Sequence, residues 1–403
     1  MAPAVGFEPT TWRLTAARST TELRRNEDAG VARSRAAPEG SGRKDTLRRW
    51  SSHWRTIVLL DSILDAGDGF GLGQMPKRLP AVANIGAPTG LTRDRSAPGR
   101  AGWAEPRHTP RVTATEPLIS ASDLASRLDD PLLRIIDCRW YLGRPGDGRA
   151  AYDAGHLPGA IHVDVDADLA VRDGPGRHPL PDPASFARRL GELGIGDEHL
   201  VVAYDDLGGW VAARLWWMLD GLGHARVAVL DGGIGAWTAA GLALTDAVPA
   251  WPPTTLSLAQ SWTRTIDRDA LRSRLGAMVL LDARAAPRYR GEVEPIDAHP
   301  GHIPTAVNAP TDGNLGADGL FLPAADLVAR FEALGVAGEF DGRPSDPAVE
   351  VVTSCGSGIS ACHNALAMRA AGLPDPILYV GSYSDWTASG YPIAIGPEPG
   401  HPA

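Results

Sequence analysis

The stretch VVTSCGSGISACHNALAMRAAGL (residues 351–373) changes its period half-way along. Val351–Ser354 is a strand-length, β-branched run, whereas residues 360–371 carry helical spacing. Between them Cys355, Gly356, Ser357, Gly358 and Ile359 make a glycine-punctuated turn. A strand that passes through a tight turn into a helix is the building unit of a parallel sheet, because parallel neighbours need a crossover connection. VVAYD (201–205), followed by a helical pattern over 213–222, has the same form.

Working outward, the two stretches prove to be corresponding parts of a tandem repeat. LRIIDCRW (133–140) is answered by MVLLDAR (278–284), an apolar strand ending in Asp-x-Arg. AGHLPGAIHVDVDADL (154–169) is answered by PGHIPTAVNAPTDGNL (300–315), and VLDGGIGAWTAAGLAL (229–244) by YVGSYSDWTASGYPIA (379–394). The offsets are 145 from Asp137 to Asp282, 146 from His156 to His302, 150 from Asp205 to Cys355 and 149 from Trp237 to Trp386. Matches in one order at nearly constant spacing mark a duplicated unit. Helical patterns over 123–128, 184–193, 213–222 and 324–334 alternate with the strands, so each unit is an α/β domain, a mainly parallel sheet flanked by helices. The expected bounds are 116–247 and 262–398, joined through the proline-rich Pro249–Pro253.

Residues 1–114 read differently. They lack a sustained period, apart from a short helix or strand candidate at Trp54–Leu64, and the first 110 residues carry +6 against −15 for the rest. No apolar run follows a basic start, and Glu8, Glu22, Glu27 and Asp28 argue against an organellar transit peptide. The expectation is a disordered or spurious extension, since GFEPTTWRLTAARSTTELRR resembles sequence translated from a misplaced start. It should be dispensable for activity. The net charge of −9 argues against general nucleic-acid affinity, and no apolar run reaches the length of a membrane span. Three cysteines are too few for a disulfide framework, suggest a reducing, cytoplasmic setting, and match no zinc-ligand spacing.

The chemistry is expected at Cys355. It stands at the carboxyl end of a parallel strand, where open α/β sheets place their ligands. Gly356 and Gly358 permit a turn whose N–H groups point inward, and the following helix start adds partial positive charge; both favour thiolate over thiol. Cys138 and Cys362 read as core residues, as do Trp216, Trp217, Trp237 and Trp386.

The tandem units, GHLPGAIHVD, DGGIGAW, AARLWWML and the CGSGISA loop together resemble the two-domain rhodanese-family sulfurtransferases over about 116–398. The resemblance implies a silent first domain and a second domain whose cysteine cycles through a persulfide. Asp205 stands at the silent copy's cysteine position, and a carboxylate cannot carry sulfane sulfur. Thiosulfate-preferring members tend to place cations directly after the cysteine; CGSGIS has none and is similar to the loop of 3-mercaptopyruvate sulfurtransferases. That branch implies Ser357 as a hydroxyl that polarises a keto group or relays a proton. It implies Asp147 and His156 as partners in such a relay. Arg288 matches a substrate arginine, with Arg214 a weaker candidate reaching across the cleft and Arg290 structural. Gly356, Gly358, Ile359 and Ser360 line the loop that receives the donor. A second arginine expected before the GHIP motif is absent, with Ile296 and Asp297 in its region. The implied partners are a small sulfur donor and a thiol or cyanide acceptor, including a thioredoxin-like reductant; no cofactor or metal is implied. The alternatives are a thiosulfate:cyanide sulfurtransferase and a non-catalytic module. A cysteine phosphatase needs an arginine after a five-residue loop, where this chain has Ala361.

Overall fold

The computed structural model describes residues 116–336 and 350–402; the expectations for 1–114 and for Trp54–Leu64 lie outside the described residues. Strands β1 (Leu118–Ile119), β2 (Leu133–Asp137), β3 (Ala160–His162), β4 (Leu200–Tyr204) and β5 (Val227–Leu230) form one sheet in the order β1-β5-β4-β2-β3. Strands β6 (Thr265–Ile266), β7 (Val279–Asp282), β8 (Ala306–Asn308), β9 (Val351–Ser354) and β10 (Ile377–Tyr379) repeat that order as β6-β10-β9-β7-β8. The pairings within both sheets are parallel. The central strands β2, β4 and β9 are buried along their whole length, which is why their apolar residues do not alternate with polar ones.

The repeated Asp-x-Arg has a structural purpose. Asp137 and Asp282 end β2 and β7, and each takes a bidentate grip from the arginine two residues on. Arg139 and Arg284 then donate to the carbonyls of Gly155 and Gly301, each at 2.8 Å, fixing the Gly-His turn to the strand end.

The helices Ala212–Gly221 and Ala361–Ala370 are buried on nearly all sides, because they pack on each other between the two sheets. Trp216 and Trp217 join Cys355, Cys362 and Leu366 in that shared core, while Trp237 and Trp386 fill separate cores in the first and second domains. A buried indole removes roughly 150–250 Å² from water, about 4–6 kcal/mol of gross driving force. In the second sheet the chain order reverses between β9 and β7, which opens a crevice at their carboxyl ends. Cys355 lies there.

Candidate active site

The chain leaves β9 and turns at once. Cys355 is 2% exposed, and its Sγ accepts the N–H groups of Gly358 at 3.1 Å and Ser357 at 3.4 Å. Gly358 holds φ +80°, and a Cβ there would fall 2.5 Å from the Val380 carbonyl, so only glycine fits. At Gly356 the nearest neighbour is the tip of a side chain: a Cβ there would lie 2.8 Å from Arg177 Nη2. The helix Ser382–Ala388 pins the loop from behind, Tyr383 and Ser384 donating to the carbonyls of Cys355 and Gly356. Ser382 Oγ accepts the Cys355 N–H at 3.1 Å. Ile359 and Ser360 are buried, Ile359 within the shared core and Ser360 at the start of the helix Ala361–Ala370.

The first domain has the same loop filled by its own side chain. Asp205 is fully buried, and its carboxylate accepts four N–H groups, from Leu207, Gly209, Val211 and Ala212, at 2.6–2.9 Å. By the repeat offset these correspond to Ser357, Ile359, Ala361 and Cys362 in the cysteine loop. The loop thus turns N–H groups inward in both copies, onto a carboxylate in one and a sulfur in the other.

Ser357 lies in a chain of polar contacts between the domains. Its Oγ is 2.8 Å from His178 Nδ1, and His178 Nε2 is 3.3 Å from Asp166 Oδ1. Trp140 Nε1 holds the other Asp166 oxygen at 2.8 Å. A carboxylate only accepts, so Nε2 carries the ring proton and Nδ1 accepts the serine hydroxyl. Burial, opposed by Asp166 and reinforced by Arg214 and Arg177, pulls the His178 pKa down to about 4, so the ring is neutral near pH 7.

Asp147 and His156 are not brought to Ser357. Asp147 starts the helix Asp147–Ala154 and pairs with Arg144 at the surface. His156 is buried and stacked on Tyr152 with ring centroids 3.9 Å apart, its nitrogens facing the carbonyls of Tyr152 and Ala247. His302 repeats the arrangement with Tyr289 and Glu398. Both histidines close their own domain, which accounts for their recurrence in both copies.

The arginines divide by role. Arg288 comes within 3.6–3.8 Å of the position a Gly356 Cβ would take, and Glu294 and Asp297 hold it. Arg177, beside His178 on the first domain's loop, comes within 2.8 Å of the same position and pairs with Asp297. A second guanidinium therefore does face the loop, but from the first domain. Arg214 is fully buried and donates to the carbonyls of Gly358, His178 and Leu169, so it braces the loop from beneath. Arg290 pairs with Glu292 away from the loop. Cys138 and Cys362 are buried and free; burial pushes both thiols up, Cys362 to about 12. Among the described residues no cluster of His, Cys, Asp or Glu is placed to hold a metal ion, and no helix is long and apolar enough to cross a membrane.

The rhodanese-like domain model matches residues 120–240 and 267–389. The chain belongs to the rhodanese family. It is 47% identical over 286 residues to the "Probable 3-mercaptopyruvate sulfurtransferase" of Pseudomonas aeruginosa, covering 69% of this chain and 98% of that one. It is 34% identical over 264 residues to the thiosulfate sulfurtransferase of Bos taurus, covering 64% and 85%. The 3-mercaptopyruvate sulfurtransferase structure from Leishmania major superposes with TM-score 0.59 at 31% identity, over 71% of this chain and 76% of that one. This rhodanese is a sulfurtransferase.

Sequence reasoning missed Asp166, His178, Arg177 and Ser382 in this rhodanese. Arg177 and His178 stand in GPGRHPLP (174–181), which belongs to no matched segment of the two copies. An arginine-histidine pair set among glycines and prolines, in a stretch too rigid for a helix, is the signal that marks it as a presenting loop.

Proposed function

We propose that the protein transfers sulfur from 3-mercaptopyruvate to a thiol or to cyanide, with Cys355 as nucleophile. The observation that carries the reading is the Ser357 hydroxyl resting on a neutral His178. Mercaptopyruvate has a thiol proton that must move as its sulfur leaves, whereas thiosulfate has none. In the first half-reaction the Cys355 thiolate attacks the donor sulfur, the sulfur–carbon bond breaks, and the bonding pair stays on carbon as an enolate. Ser357 takes the thiol proton while passing its own to His178 Nδ1, and the proton returns to the enolate carbon to give pyruvate. The products are pyruvate and a Cys355 persulfide. An acceptor thiolate then attacks the outer sulfur and restores the Cys355 thiolate. Arg288 and Arg177 flank the seat that the donor carboxylate takes beside Gly356, as guanidinium forks suit carboxylates. Ser357 and Gly358 supply N–H groups to the sulfur.

The arginine pair also favours a second reading, thiosulfate as donor, since any small anion gains from it. Steady-state rates with both donors separate the two. Ser357→Ala and His178→Gln should lower turnover with mercaptopyruvate by about 10²-fold, in the range for a positioned proton carrier. They should change thiosulfate turnover less than about threefold. Equal losses with both donors would overturn the proton-relay reading. Cys355→Ser should abolish turnover with either donor while Cys138→Ser and Cys362→Ser retain it. We place the reaction in the cytoplasm, where three free thiols stay reduced and a thioredoxin-like dithiol is available as acceptor.

A further inference from the structure

Three arginines and three carboxylates are gathered beside the cysteine loop, and one carboxylate among them belongs to no single domain's framework. Arg284 is matched by Asp282 at the end of β7. Arg288 is held by Glu294 through contacts of 2.8–3.3 Å, and Glu294 also accepts the N–H groups of Ile296 and Asp297. That turn presents Asp297, whose side chain is 3% exposed, to Arg288 at 3.1 Å and to Arg177 of the first domain. Among the described residues Arg177 Nε has no hydrogen-bond partner, and Asp297 is the charged contact of this guanidinium. The cluster sums to zero: Arg177, Arg284 and Arg288 against Asp282, Glu294 and Asp297.

We propose that Asp297 sets the donor selectivity: it spans Arg177 and Arg288 and cancels their excess charge, so the seat beside Gly356 takes a singly charged carboxylate and disfavours a compact dianion. The proposal rests on the reading of Arg288 and Arg177 as the donor's seat. With the Asp297 charge removed the cluster carries +1, and each donor would gain in proportion to its own charge, because Coulomb energy is linear in charge. A dianion such as thiosulfate therefore gains the square of the factor a monoanion gains. Buried carboxylates at this distance act with little screening by salt.

Asp297→Asn removes the charge and keeps an oxygen for Arg177, while Glu294 still holds Arg288. The expected result is a KM for thiosulfate about tenfold lower and a KM for mercaptopyruvate about threefold lower, with kcat within about twofold for both. Asp297→Ser, which also removes the charge, should give the same ordering and serves if the asparagine variant folds poorly. Asp297→Arg should move the ratio further toward thiosulfate. An unchanged donor ratio in the neutral variants, or a shift toward mercaptopyruvate, would overturn the proposal and leave Asp297 a structural tie. Arg288→Gln is the control for the underlying reading. If it raises the KM for mercaptopyruvate while the Asp297 variants leave the ratio unchanged, only the selectivity proposal fails. If it leaves that KM unaltered, the seat itself is misassigned.

Discussion

The two copies of this rhodanese differ at the first residue of the loop. Asp205 and Cys355 occupy the same point on the same loop, at the carboxyl ends of β4 and β9. A carboxylate is long enough to reach four inward N–H groups, so the first domain's nest is satisfied from within. The thiol of Cys355 engages two, those of Ser357 and Gly358. Hydrogen bonds to an ionised group are each worth about 1.5–3 kcal/mol, and orphaning their buried partners costs a further penalty. Asp205→Ala should therefore destabilise the protein by at least about 3 kcal/mol, read as a lower denaturant midpoint. A loss under about 1 kcal/mol would show that the carboxylate does not hold the loop.

At the scale of elements, the cysteine loop depends on how the helix Ser382–Ala388 begins. Ser382 sits at φ +52°, a conformation that costs a residue with a Cβ about 1 kcal/mol or more, and the equivalent Gly233 has φ +56°. The serine keeps its place because Oγ accepts the Cys355 N–H and donates to the Tyr379 carbonyl at 2.8 Å. Removing the hydroxyl leaves the backbone cost with nothing to offset it. Ser382→Ala should lose about 1–3 kcal/mol and part of its turnover, whereas Ser382→Gly should be the more stable of the two despite glycine's flexibility. The melting temperatures of the pair decide this. The strand–loop–helix pattern around Cys355 was legible in the sequence because period and glycine punctuation are local properties. The left-handed serine was not, since a serine in YVGSYSDW gives no sign of the angle that packing imposes on it.

Across the whole molecule, the domains meet through buried polar contacts as well as through the tryptophan-rich core. His363 lies at that interface, stacked on Phe321, with Nε2 3.2 Å from the Gly208 carbonyl and Nδ1 3.1 Å from Asn314 Nδ2. Burial pulls its pKa down to about 4, as it does for His178. Unfolded, both rings would bind a proton near pH 6.5. Between about pH 6.5 and 4 the unfolded chain therefore holds more protons than the folded one, so stability falls as the pH is lowered through that window. The melting temperature should drop between pH 7 and pH 4.5, and His363→Gln should show a shallower fall. A wild-type profile flat over that range would mean the histidines are protonated in place.

The sequence by itself determined the duplicated α/β architecture, the cysteine at the end of a central strand, and the aspartate in its place in the first copy. These follow from periodicity, turn chemistry and identity of residue, all of which are written along the chain. Only the tertiary structure decided which polar residues lie beside the cysteine loop. His156 is repeated at a fixed offset and yet faces backbone carbonyls of its own domain, while unrepeated His178 crosses to Ser357. Arg214 reaches the second domain but is sealed beneath the loop, and Arg177 comes forward beside Gly356. The reason is geometric. Such a site is assembled from two sheets whose mutual placement is set by side-chain packing between buried helices, and packing between distant segments leaves no period in the sequence of either.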